Sequence, residues 1–149
     1  MIQYEKIELD YHLPIKLVDI YLEDHQTKTA KHYHNSIEII IPVLGKLKLF
    51  HNDKQLIIPQ GSLYIINSQE IHGMYHSEDT DIYKGYALQI NYDFIKRYYP
   101  AIDSYQFIQP SKRIQKKILA DIFKIIAAYD HSNQFQRIEI ESYILHLLY

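Results

Sequence analysis

Three residues that can bind a metal ion lie close together in the heptapeptide HYHNSIE, residues 32–38. His32 and His34 are separated by one residue, and Glu38 follows four residues later. Side chains alternate across an extended strand, so all three would point to the same face. Such a set can bind a divalent metal ion, or it can form a hydrogen-bonded polar cluster without metal.

A straight strand cannot bring these residues to one ion. Four residues at about 3.3 Å each would place Glu38 roughly 13 Å beyond His34, whereas ligands lie about 2 Å from their metal. The chain must therefore turn back, and Asn35-Ser36 is the turn-forming pair that allows it. A fourth ligand must come from elsewhere, and it must offer nitrogen or oxygen because the chain has no cysteine.

The elements that would position these residues are short strands. Before residue 91 the chain has apolar runs separated by turn signals, at 15–22, 37–43, 46–50, 55–58, 62–66 and 82–90. This pattern predicts an antiparallel barrel or sandwich. Pro42 lies inside one run, and because proline cannot donate to a sheet ladder, it indicates an edge position or a bulge.

After Asn91 the apolar period becomes helical. We expect a short helical turn at 93–98, a long helix from Ser111 to about Tyr129 and a last helix from Gln134 to Tyr149. We therefore divide the chain into a β-barrel sensor domain, residues 1–91, and a helical dimerisation or linker segment, residues 92–149.

The long helix predicts self-association. Its apolar side chains cover about half of the circumference, whereas one core contact needs a stripe nearer ~100° wide. The surplus indicates a second contact, either with the last helix or with another subunit. We expect a homodimer in which Leu119, Phe123 and Ile126 face the partner; the alternative is that all three pack in the core.

Length and composition exclude several classes of protein. The 149 residues are the size of one typical domain. The formal net charge of −2 gives no general attraction for nucleic acid or anionic membranes. The N-terminus lacks the apolar core of a signal peptide, and no apolar run reaches the length of a membrane span. We expect a soluble cytoplasmic protein.

The segment from His32 to Gly45 resembles the first motif of the cupin superfamily, although Gln26 stands where that motif opens with glycine. The segment from Gly61 onward matches the second cupin motif in part, with Asn67, Gln69 and His76 in place of its Pro, Gly and Asn. The resemblance implies a mainly β fold, a cupin or jelly-roll antiparallel barrel followed by two C-terminal helices. It also implies four metal-ligand positions, for Zn, Mn, Fe or Ni: His32, His34, Glu38 and His72.

Within the cupins, residues 32–72 look most like the N-terminal ligand-binding and dimerisation domain of AraC-type transcription regulators. That likeness covers essentially the whole chain and implies a sensor that is not an enzyme, in which a small-molecule effector in the barrel rearranges the helices. The family's helix-turn-helix domains are absent from this chain, so we expect them after Tyr149, with DNA bound only through them. The alternative is a stand-alone metal-dependent cupin enzyme or metal-binding cupin.

The effector is less well defined by the sequence. All three arginines follow the predicted barrel, so the pocket lacks the planar fork that best clamps carboxylate or phosphate. This favours a neutral or weakly charged ligand such as a sugar. We expect contacts from the four cupin positions and from Tyr64 and Tyr83, which can stack on a sugar ring; for the tyrosines the alternative is packing within the barrel.

Overall fold

The computed structural model describes residues 2–9, 13–23, 29–76 and 82–149. The strands in these ranges are β1 (Gln3–Tyr4), β2 (Ile15–Leu22), β3 (His32–Tyr33), β4 (Ile37–Leu44), β5 (Leu47–His51), β6 (Lys54–Ile58), β7 (Tyr64–Ile66), β8 (His72–His76) and β9 (Tyr83–Ile90). The helices are α1 (Tyr92–Tyr98), a 3-10 helix (Pro100–Ser104), α2 (Lys112–Asp130) and α3 (Gln136–Leu148).

The strands form two sheets. One has five strands in the order β1-β3-β8-β5-β6, and the other has four in the order β2-β9-β4-β7. Neighbouring strands are antiparallel except β1 and β3, which run parallel. The mainly β barrel of two sheets, with helices after it, confirms the predicted fold class. No helix in the described ranges is long and apolar enough to cross a membrane.

The predicted strands and helices are confirmed, each with bounds within two residues of those expected. The apolar runs do not mark β1, β3 or β8. β1 and β3 have only two residues each, too few to show a period. β8 reads HGMYH, in which a glycine and two histidines replace the apolar alternation that identifies a strand.

Strand β4 is buried on both faces. Ile37, Ile39 and Ile41 belong to a core that also contains residues of the helices. Ile40 belongs to a second core inside the barrel, and Glu38, two residues away, points to the same inner side. Burial of both faces explains why the segment has an almost continuous apolar sequence, and it places one carboxylate inside the barrel.

Pro42 marks a bulge. The pairing of β4 with β9 shifts register between Pro42 and Leu44, as expected where a residue cannot donate to the ladder. β4 as a whole lies between β9 and β7, but its pairing with β7 covers only Glu38–Ile40, so Pro42 also lies beyond the end of the ladder on that side.

The helices cover the outer face of the four-stranded sheet. Ile122 and Ile125 of α2 and Ile140 and Ile144 of α3 are each fully buried in the core that includes the outer residues of β4. The change from strand to helix falls at Asn91, whose side chain caps α1 by accepting from the backbone N–H of Phe94. Because sheet and helices share this core, a division into two domains at residue 91 stays a prediction.

Two side-chain amides fasten the segment before α2 to the barrel. Gln109 donates from Nε2 to the carbonyl of Ile65 at 2.6 Å and accepts from its N–H at 2.9 Å. Asn67 likewise donates to the carbonyl of Phe107 at 3.0 Å and accepts from its N–H at 2.8 Å. Since β7 is an edge strand, the Gln109 bonds also satisfy backbone groups that the sheet edge leaves open.

We expect Gln109→Glu to lower the free energy of unfolding by about 1–2 kcal/mol. Glutamate can still accept from the N–H of Ile65 but cannot donate to its carbonyl. Denaturant titration measures the change, and Gln106→Glu, at an exposed position of the same segment, is the matched control. Equal stability of the two variants would show that the hydrogen bonds between Gln109 and Ile65 do not stabilise the fold.

Candidate metal and effector site

The fold-back predicted from the sequence lies at Asn35 and Ser36. His32 belongs to β3 in the five-stranded sheet, and Glu38 belongs to β4 in the four-stranded sheet. The bend at these two residues carries the chain from one sheet to the other. His34 and Glu38 therefore face each other, with Nε2 of the histidine 3.0 Å from Oε2 of the carboxylate.

His72 joins this pair because β8 lies beside β3, with His32 and His72 in register. The potential ligand nitrogens of His32, His34 and His72 all lie within 4.8 Å of one another. These residues are 7, 1 and 0% exposed, and Glu38 is 1% exposed. The structure thus brings together the four residues that the cupin resemblance implies, and we call them the histidine–glutamate cluster.

Backbone carbonyls orient all three imidazole rings. The Nδ1 atoms lie at hydrogen-bond distance from carbonyl oxygens: His32 to Ala30 at 2.7 Å, His34 to Ser36 at 3.1 Å, and His72 to Glu70 at 2.9 Å. A carbonyl oxygen only accepts, so each Nδ1 carries a proton and donates it. In the neutral ring Nε2 then has the free lone pair, which is the arrangement of a histidine prepared to bind a metal.

Each of the three Nε2 atoms faces a carboxylate oxygen. The distances are 3.0 Å from His34 to Glu38 Oε2, 3.7 Å from His72 to Glu38 Oε1 and 3.1 Å from His32 to Glu5 Oε2. A lone pair that faces a carboxylate oxygen is repelled by it unless something positive lies between them. The positive species is either a second proton on each ring or a divalent cation shared by the cluster.

A shared cation fits this arrangement better than three extra protons. The ring centroids are 4.3 to 5.8 Å apart, so three buried imidazolium ions would repel one another strongly. One divalent ion accepts all three lone pairs at once. Three buried acceptor atoms of this region also lack a hydrogen-bond partner among the described residues, namely Glu38 Oε1, His72 Nε2 and Gln89 Oε1.

Burial and pairing set the charge of Glu38 and His72. Burial alone would raise the pKa of Glu38, but the adjoining His34 and His72 rings and the hydrogen bond from Gln89 bring that pKa well below its ordinary value. Burial alone would lower the pKa of His72, but its interaction with Glu38 raises it. Glu38 is therefore a carboxylate at neutral pH, the form in which it can bind a metal ion.

The donor set suits a first-row divalent metal. Imidazole nitrogen and carboxylate oxygen serve Zn²⁺, Fe²⁺, Mn²⁺ and Ni²⁺, and thiolate is excluded because the chain has no cysteine. The three buried histidines are thus able to bind a metal ion, and their chemistry alone does not choose among these four metals.

A cavity of about 350 Å³ adjoins the histidine–glutamate cluster. Its lining includes His32 and Glu38 from the cluster, with Glu5, Lys16 and Gln89. Lys16 pairs in register with Gln89, and Gln89 pairs with Glu38, so these three residues form a row across β2, β9 and β4. Gln89 also donates from Nε2 to Glu38 Oε2 at 2.8 Å, which fixes the carboxylate.

Sequence reasoning missed Glu5, Lys16 and Gln89. Gln89 carries a usable signal, because it is the only polar residue in the run ALQI and has the same parity as the barrel-facing Ala87. Lys16 has no comparable signal, since a lysine near the start of a strand is usually solvated. Glu5 has none, because nothing local shows that its segment reaches the cluster.

The two tyrosines that we expect to contact the effector lie elsewhere. Tyr83 is fully buried in the barrel core, where burial raises the pKa of its hydroxyl. Tyr64 is half-buried, and its hydroxyl lies 2.9 Å from Nδ1 of His51. Neither residue is among those that line the cavity beside the cluster. In this structure both pack in or against the barrel core.

The predicted partner-facing row on α2 needs a correction. Ile126 is 7% exposed and belongs to the same core as Ile140 and Ile144, so it cannot face a partner. Leu119 is half-buried against that core. Phe123 is 47% exposed and remains available for a second contact. Part of the wide apolar arc is therefore used within the monomer.

Comparison with protein families shows where this barrel belongs. The sequence profile described as "AraC-like ligand binding domain" matches residues 16–148. The chain belongs to this family. The histidine–glutamate cluster and its adjoining cavity thus belong to an AraC-like ligand-binding domain. Comparison with curated proteins finds no significant match.

Solved structures of cupins are similar to this AraC-like domain at the level of the fold. A cupin from Methanocaldococcus jannaschii is 17% identical, with a TM-score of 0.48 over 59% of this chain and 92% of that one. A cupin superfamily protein from Desulfitobacterium hafniense is 8% identical, with a TM-score of 0.49 over 57% and 74%. A predicted oxalate decarboxylase from Thermotoga maritima is 21% identical, with a TM-score of 0.46 over 50% and 64%. These values describe a distant likeness over 50 to 59% of this chain.

We expect Glu38→Gln to weaken Zn²⁺ binding by about 100-fold, because it removes an anionic donor and leaves the side chain's shape unchanged. Titration calorimetry on chelator-treated protein without a His-tag measures the affinity. Asp19→Asn is the matched control, since Asp19 also lines the cavity but lies outside the cluster. If both variants bind Zn²⁺ as wild type does, Glu38 is not a ligand.

Proposed function

We propose that this AraC-like domain is the effector-sensing part of a cytoplasmic transcription regulator. In this proposal a divalent metal ion is held by His32, His34, Glu38 and His72, and the effector binds in the adjoining cavity. The observation that carries the proposal is the set of three buried Nε2 atoms that face carboxylate oxygens. A bound ion supplies a Lewis-acidic centre for oxygen atoms of a ligand.

We propose a neutral polyhydroxylated effector such as a sugar. The buried Oε1 of Gln89 lacks a donor among the described residues, and a hydroxyl group would supply one. The described residues that line the cavity include no arginine and a single lysine, Lys16, which is outnumbered by Glu5, Asp19 and Glu38. This balance favours a cation in the cluster and disfavours an anionic ligand beside it.

A path of hydrogen bonds would pass the effect of binding to the helices. His72 donates from Nδ1 to the carbonyl of Glu70, whose side chain accepts from the backbone N–H of Asn67 at 2.7 Å. Asn67 in turn holds the backbone of Phe107, in the segment that leads into α2. A shift of His72 on ligand binding would therefore displace the point at which the helical segment joins the barrel.

The regulatory role would need a second subunit and a DNA-binding domain. We propose a homodimer that uses the side of α2 that carries Phe123, which is 47% exposed. DNA would be bound only by helix-turn-helix units encoded after residue 149, which the sequence of the gene checks directly.

A metal-dependent enzyme is the second candidate. The observation that favours it is the position of the histidine–glutamate cluster at the edge of a cavity that a small substrate can enter. We propose binding without turnover, because membership of a ligand-binding family supports binding and says nothing of a reaction.

A thermal-shift screen of neutral sugars and polyols against Zn²⁺-loaded protein tests the sensor. At 100 times its dissociation constant a ligand adds about 2.7 kcal/mol of stability, so we expect a rise in Tm of several degrees. The response should be lost in the double variant His34→Ala, His72→Ala and kept in His131→Ala, an exposed histidine after α2. Equal stabilisation of the double variant would remove the cluster from the site. Mass spectrometry of the recovered ligand distinguishes a sensor from an enzyme, because only an enzyme would convert the ligand into a product of different mass or fragmentation.

We expect Phe123→Glu to convert a dimer into a folded monomer, because the new charge would lie in the subunit interface. Sedimentation velocity with circular dichroism measures association and folding together. Ile126→Glu is the matched control, and it should unfold the domain because it buries a charge in the core. Wild-type protein that is monomeric at tens of micromolar would contradict the dimer.

A further inference from the structure

The N-terminal segment, residues 2–9, reaches the barrel through a few bonds. Its strand β1 pairs parallel with β3, with Gln3 beside His32 and Tyr4 beside Tyr33. The N–H of Gln3 donates to the carbonyl of Lys31 and the N–H of Glu5 donates to that of Tyr33, at 3.3 and 2.9 Å. β1 has only two residues and both are exposed, so this pairing fixes the position of the segment but adds little stability.

The same pairing brings Glu5 to the histidine–glutamate cluster. Gln3 is in register with His32, and Glu5, two residues later, returns to the face that His32 uses. Oε2 of Glu5 lies 3.1 Å from Nε2 of His32. Because Nδ1 of His32 donates to the carbonyl of Ala30, this Nε2 is the atom that His32 would offer to a metal ion.

We infer that Glu5 is a further ligand of the metal ion, supplied by the N-terminal segment, so that metal binding fastens residues 2–9 to the barrel. This inference rests on the proposed metal site of His32, His34, Glu38 and His72. It adds a second carboxylate from outside the barrel strands, and this carboxylate is 45% exposed where Glu38 is 1% exposed.

Charge balance supports a second carboxylate. Three neutral imidazoles and Glu38 leave one net positive charge on a divalent ion held among side chains that are 0 to 7% exposed, and such a charge is costly to bury. Glu5 brings the total to neutral. Among the described residues that line this cavity, Lys16 is the only lysine or arginine, and no ion pair in the described ranges joins it to Glu5.

The other explanation of the contact is a simple ion pair between Glu5 and a protonated His32. The two explanations predict opposite results for metal affinity. An ion pair competes with the metal for His32, so loss of the carboxylate would leave Zn²⁺ affinity unchanged or raise it. A ligand contributes to the affinity, so its loss would lower it.

The test compares wild type with Glu5→Gln and Glu8→Gln, the latter at an exposed position of the same segment. We expect Glu5→Gln to weaken Zn²⁺ binding by about tenfold or more in titration calorimetry, and Glu8→Gln to match wild type. With Co²⁺ as the probe, the visible absorption of Glu5→Gln should differ from that of the other two proteins. Zn²⁺ should slow amide hydrogen exchange of residues 2–9 in wild type and in Glu8→Gln, but not in Glu5→Gln.

Every other outcome would overturn one part of this inference: the metal site, Glu5 as its ligand, or the fastening of residues 2–9. Unchanged or higher Zn²⁺ affinity of Glu5→Gln, with the Co²⁺ spectrum of wild type, would overturn Glu5 as a ligand and leave the four-residue site in place. Failure of wild-type protein to bind Zn²⁺ or Co²⁺ would overturn the metal site and this inference together. Equal slowing of exchange in all three proteins would show that the segment is held without Glu5.

Discussion

The buried carboxylate of Glu38 is the constraint on which the rest of this structure depends. A carboxylate that is 1% exposed carries a desolvation cost of several kcal/mol unless its surroundings offset it. His34 and His72 come from the five-stranded side of the barrel and Gln89 from the four-stranded side, so the two sheets must close on each other before Glu38 is compensated. The closed barrel and the assembled cluster therefore require each other.

Strand β4 connects this cluster to the helical layer. Its inner face carries Glu38, and its outer face carries isoleucines that share a core with α2 and α3. A rigid strand with both faces buried transmits small displacements from one side to the other. Together with the hydrogen bonds between Asn67 and Phe107, it gives the helical segment two points of contact with the site, as the proposed sensing role requires.

Most of the secondary structure follows from local pattern, and the errors have physical causes. β8 escapes prediction because its residues serve the cluster and a close backbone contact: a side chain at Gly73 would come within 3.0 Å of the carbonyl of Thr29. Ile126 is misplaced because the angular position of a side chain on a helix shows that it needs a contact, but not which neighbour provides it. The wide apolar arc of α2 faces the sheet, α3 and solvent in turn. Only the packed tertiary structure shows which of these each side chain contacts.

The sequence by itself determined the barrel followed by helices, because the spacing of apolar residues distinguishes strands from helices. It also determined the turn at Asn35-Ser36 and the need for His34 and Glu38 to converge, because these depend on short-range geometry. The cupin resemblance added His72. Only the tertiary structure decided that three Nδ1 atoms donate to carbonyls, and that Glu5, Lys16 and Gln89 meet at the same cavity. These residues come from positions 5 to 89 of the chain, and they are brought together by strand register. Register is set by the closing of both sheets on one core, a global condition that no local pattern contains.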